Sequence, residues 1–72
     1  MSEKEFKRNF AKTLRWRMED LGLSRKQLAE RVGVSQAAVA LWVNMKTTPR
    51  AVVIPKLAEA LGVSVTELLV FD

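Results

Sequence analysis

Residues 25–44 read RKQLAERVGVSQAAVALWVN, and their spacing decides the fold. Counted from Arg25, apolar residues stand fourth (Leu28), eighth (Val32), tenth (Val34), fifteenth (Val39) and eighteenth (Trp42), with Ala29 fifth and Gly33 ninth. Leu28 and Val32 are four apart and share one face of a first short helix. Val39 and Trp42 are three apart and share one face of a second. Gly33 stands where the chain must turn sharply, with φ above zero, a conformation that a residue without Cβ adopts at little cost. Ala29 lies where the second helix crosses the first, and a larger side chain there would hold the two apart. Ser35 supplies an N-cap oxygen for the second helix.

Two short amphipathic helices joined this way form a helix-turn-helix, a motif that reads DNA. The competing reading is an ordinary α-hairpin inside a helical bundle, with no nucleic-acid role. Chance often supplies a small residue and a Gly four apart. It rarely supplies several apolar positions in phase with them.

Outward from this core, the remaining chain reads as three more helices. The first runs from about Glu3 to Asp20, with an apolar stripe of Phe6, Phe10, Leu14, Met18 and Leu21. Gly22 ends it, Ser24 caps the next helix, and Leu23 staples onto the core. The motif helices span about 25–32 and 36–43. Asn44 to Arg50 is polar, contains Pro49 and reads as a loop. A fourth helix begins near Val52 to Ile54, with Pro55 in its first turn and Leu57, Ala58 and Leu61 on one face. Gly62 ends it. Ser64 and Glu67 form a capping box for a short fifth helix whose apolar residues are Val65, Leu68 and Leu69. The fold class is therefore all-α, one domain over residues 1–72.

Composition narrows the function. The 72 residues hold no Cys and no His, so there is no disulfide, no thiolate metal site and no imidazole base. No Gly-rich phosphate loop and no clustered carboxylates appear, and Glu19-Asp20 reads as a solvated turn. The expectation is no enzyme, no catalytic residues, no metal and no cofactor. No apolar run approaches a membrane span, and the charged start lacks a signal-peptide core. A cytoplasmic protein of a bacterial or phage-infected cell is the simplest expectation. Lys plus Arg total 12 against 8 acids, a net +4 that is compatible with nucleic acid.

The segments L-G-L-S (21–24), A-x-x-x-G-V-S (29–35), N-x-K (44–46) and L-G-V-S-V (61–65) stand together at one spacing. Over about residues 6–69 the chain resembles the lambda repressor and Cro-like helix-turn-helix family of phage and bacterial regulators. The resemblance implies a compact five-helix domain that binds a pseudo-palindromic operator on double-stranded DNA as a homodimer. Three positions depart from the family pattern. Met45 follows Asn44 where relatives often have Gly; if that turn needs φ above zero, either Met45 carries the strain or the loop is rearranged. Met18 and Val43 stand where many members pair a buried Arg with a Glu, and an apolar pair can replace an ion pair without loss. Arg25 stands where a phosphate-binding Gln is common, and brings more charge.

With Val34, Val39 and Trp42 facing the core, the outward face of the second motif helix is Ser35, Gln36, Ala37, Ala40 and Leu41. These are the candidate base readers. Gln36 suits a bidentate contact to adenine, and the apolar residues suit thymine methyl groups. For the alanines, plain helix propensity is an equal explanation. Candidate phosphate ligands are Arg25 and Gln27 at the front of the first motif helix, and Asn44, Lys46 and Arg50 after the second. A solvated face explains most other cations; Lys4, Lys7 and Arg8 are within the sequence range of backbone contact but sequence does not aim them. Trp16 lies off the apolar stripe, either covering a gap near Phe71 or marking a protein interface. The run Leu68, Leu69, Val70, Phe71 exceeds what a short helix needs and is the expected dimer surface. The alternative function is a helical protein-interaction module, such as an antitoxin or adaptor, with incidental basic charge.

Overall fold

The computed structural model describes residues 2–69. Its helices are α1 (Glu3–Leu21), α2 (Arg25–Val32), α3 (Gln36–Val43), α4 (Ile54–Leu61) and α5 (Val65–Leu69), with a 3-10 turn at Ala51–Val53 leading into α4. The described residues contain no strand. None of these helices is long and apolar enough to cross a membrane.

The helix boundaries follow local chemistry. Ser2, Ser24, Ser35 and Ser64 each accept, through Oγ, the backbone N–H three residues on, at 3.0–3.1 Å. Each such cap satisfies an N–H that the helix itself leaves unpaired and contributes about 1 kcal/mol. At α2 the box is reciprocal, because Gln27 Oε1 accepts the Ser24 N–H at 2.8 Å. At α5 only the serine half of the expected box is built among the described residues. Gly33 closes α2 in the left-handed region at φ 82°. Pro55 sits in the first turn of α4, where its missing N–H leaves no bond unmade.

α1 packs on α3, α4 and α5, while α2 packs on α3 and α4. The core joins Phe10, Leu14 and Met18 of α1 to Leu28, Ala29 and Val32 of α2, Val39, Trp42 and Val43 of α3, Leu57, Ala58 and Leu61 of α4, and Leu68. Ala29 is buried at the α2–α3 crossing, and Trp42 is 5% exposed, as their positions in the motif require. No described polar or charged side chain is buried.

The apolar stripe of α1 is corrected at its C-terminal end, while Phe6 at the other end packs against the core. Leu21 is 44% exposed, because α1 stops at Gly22 and the reversed chain delivers Leu23 to the core instead. The Leu23 N–H donates to Met18 O at 2.8 Å and locks that reversal. Phe6 is only half-buried, stacked on Phe10 with ring centroids 6.1 Å apart. Ala11, beside the expected stripe, is fully buried. In α5, Val65 is exposed and Leu69 half-buried, whereas Leu68 is fully buried and unavailable to a partner. Val70 and Phe71 lie outside the described residues, and with them the expected Trp16–Phe71 contact. Trp16 itself is 62% exposed, with the Arg17 guanidinium 5.6 Å from its ring centroid.

Candidate nucleic-acid interface

α3 divides into two faces. Val39, Trp42 and Val43 are buried, while Ser35, Gln36, Ala37 and Leu41 are exposed and Ala40 is half-buried. Every candidate base reader therefore has surface on the side away from the core. Val34 is half-buried and packs against the core from the turn. Leu41 keeps 44% of its surface in solvent, a position the core does not use. The hydroxyl of Ser35 accepts the Ala38 N–H at 3.0 Å, so its own hydrogen remains to donate outward.

The phosphate candidates do not gather into one patch; they surround α3. Arg50 shares a groove with Gly33, Val34 and Ser35, beside the start of α3. Arg25, at the front of α2, shares another with Val43 and with Arg15 and Glu19 of α1. Asn44 and Lys46 share a third with Lys4, Lys7 and Arg8. Gln27 is held by the Ser24 cap through its oxygen, which leaves its amide hydrogens as the available donors. Between Glu30 and Glu59 the chain has no acidic residue, so α3 and the loop after it carry no negative side chain. That one-sided distribution favours a polyanion.

The turn after α3 confirms where its strain sits. The Met45 N–H donates to Trp42 O at 3.1 Å and the Lys46 N–H to Leu41 O at 2.9 Å. Closing those bonds puts Met45 at φ 61°, the one positive φ outside glycine in the described chain. Left-handed backbone costs a residue with Cβ about 1–2 kcal/mol. The turn thus holds a left-handed residue that carries a side chain.

Met18 and Val43 are 8% and 7% exposed and bound the same cavity of about 320 Å³ at the α1–α3 junction. Both belong to the core cluster, so an apolar pair occupies the junction.

Two features escaped the sequence. Arg17 Nε donates to Leu61 O at 3.0 Å while Nη1 pairs with Asp20 at 3.0 Å. The guanidinium thereby caps the C-terminal end of α4 from α1, where a cation is favoured. The second is the meeting of α1 cations with the turn after α3. Both join residues far apart in the chain, and no local pattern signals them.

A Helix-turn-helix family model matches residues 14–68. The crystal structure of a hypothetical transcription factor, NHTF from Neisseria, is 26% identical and superposes with a TM-score of 0.85. The match covers 97% of this chain and 80% of that one. No curated protein matches the chain.

Proposed function

The chain belongs to the helix-turn-helix family, and on that footing we propose that it is a transcriptional regulator that binds double-stranded DNA sequence-specifically. The observation that carries the reading is the division of α3. Its buried face is spent on the core, and its face of Gln36, Ala37 and Leu41 is left exposed among the described residues. In the major groove, Gln36 pairs its carboxamide with adenine N6 and N7, and the apolar residues meet thymine methyl groups. Arg25, Gln27, Asn44, Lys46 and Arg50 hold the flanking phosphates and set the register of α3. So sparse a set of hydrogen-bonding readers leaves a large share of specificity to DNA shape.

The finer reading is a repressor or Cro-like regulator, bacterial or phage, that sits as a homodimer on a pseudo-palindromic operator. Leu68 is buried, so of the expected dimer residues the described chain leaves Leu69 to a partner, and Val70 and Phe71 lie outside it. A patch that small is below the ~1,000 Å² of stable interfaces, so dimerisation depends on DNA. Selection of bound sequences from random duplexes tests the proposal. It should return a site rich in A·T pairs, with two half-sites about one helical turn (~34 Å) apart. Recovery of unenriched sequence would contradict specific reading, and a single asymmetric half-site would contradict the homodimer.

A further inference from the structure

We propose that the first turns of α1 form, with the turn after α3, an accessory clamp for the DNA backbone. This rests on the DNA-binding reading and extends the contact beyond the helix-turn-helix. A groove of about 400 Å³ lies between the two elements, lined by Lys4, Lys7, Arg8, Asn44, Met45 and Lys46. Four of its six walls are cations and none is an acid. Lys4, Arg8 and Lys46 are exposed and form no ion pair with a described carboxylate, whereas Lys7 is held by Glu3 at 3.3 Å. Like charges repel, so Lys4, Arg8 and Lys46, which no described carboxylate pairs, raise the free energy of the empty protein. A polyanion laid across them relieves that repulsion.

The ligand class follows from geometry as well as charge. The groove is partly open and its lining mixes four cations with apolar surface, so a phosphodiester strand can lie across its mouth. Met45 gives it an apolar wall along which lysine stems can lie while their ammonium groups reach out. Lys46 lies in the turn that closes α3, so the strand that flanks a DNA groove filled by α3 passes this turn. Lys4 and Arg8 share the trough with Lys46 and therefore grip the same strand. Lys4, Lys7 and Arg8 precede residue 14, where the family match begins. The clamp therefore joins cations from outside that matched span to the turn after α3.

The test is the salt dependence of binding to a labelled random-sequence 20-base-pair duplex. Each lost phosphate contact flattens the slope of log K against log salt by about 0.9. The double variant K4Q/R8Q should lower the slope by about 1.8, so its deficit against the wild type is roughly tenfold larger at 50 mM than at 200 mM salt. The control R31Q/K56Q removes the same charge from a separate groove, which those residues line with Glu59 and Ala60. It should leave the slope nearly unchanged. Thermal midpoints of both variants report whether folding is intact. Equal slopes in K4Q/R8Q and wild type, or equal effects of the two double variants, would overturn the clamp and leave DNA binding standing. Failure of the wild type to bind any duplex would overturn both.

Discussion

Replacing the apolar junction between α1 and α3 with an Arg–Glu ion pair probes how the reader is held. Val43→Glu removes the burial of a Val that is 7% exposed, a loss of about 1.5–3 kcal/mol. It also buries a carboxylate, and an unpaired buried charge costs about 3–5 kcal/mol. The structure lowers that figure, because Arg15 and Arg25 line the same cavity and partly answer the new charge. A net loss of about 4 kcal/mol follows from these opposing terms. Met18→Arg is milder, about 1–2 kcal/mol, since the long side chain can reach water at the rim, where Glu19 also lies. A domain of this length has on the order of 4–10 kcal/mol in total, so both variants remain measurable by urea unfolding. If the two side chains meet, the double variant recovers about 1–3 kcal/mol of the summed loss. A coupling energy within about 0.5 kcal/mol of zero would refute the contact and the alignment behind it.

The other predictions concern single positions. Met45→Gly removes a left-handed penalty of about 1–2 kcal/mol against about 0.5–1 kcal/mol of added chain entropy, so the thermal midpoint should rise by a few degrees. A fall would show that the Met45 side chain contributes more by packing than its backbone loses by strain. Arg17→Leu strips the C-terminal cap from α4 and should lose about 1–2 kcal/mol, or roughly 5–10 °C in midpoint. A shift under 2 °C would mean that water replaces the guanidinium freely. Arg25→Ala and Lys46→Ala should each weaken binding to all duplexes alike and flatten the salt slope by about one unit. An unchanged slope would remove that residue from the phosphate set.

What the sequence disclosed and withheld divides by distance along the chain. The serine caps at 24, 35 and 64, the Gly33 turn, the Pro55 placement and the burial of Trp42 are all set within a few residues, and each was legible. The exposed face of α3 was legible too, because a helical period assigns the outward residues once the inward ones are known. Leu21 was misplaced because periodicity runs on past a helix end, whereas the chain reverses at Gly22 and Leu23 takes the site. Ala11 escaped because a methyl group carries little signal, though helix packing can bury it fully. The Arg17–Leu61 cap and the meeting of Lys4 and Arg8 with Lys46 escaped because both depend on how α1 crosses the rest of the bundle. No window along the sequence encodes that crossing.

The central claim is that α3 reads bases through Gln36, and affinity measurements on two duplexes test it most directly. Gln36→Ala should weaken binding to the selected site by about 1–3 kcal/mol, and binding to a random duplex by far less, at one fixed salt concentration. Thermal stability should be unchanged, because Gln36 is exposed and its side chain makes no hydrogen bond to a described residue. Equal losses on both duplexes, or no loss on either, would contradict the assignment of α3 as the reader.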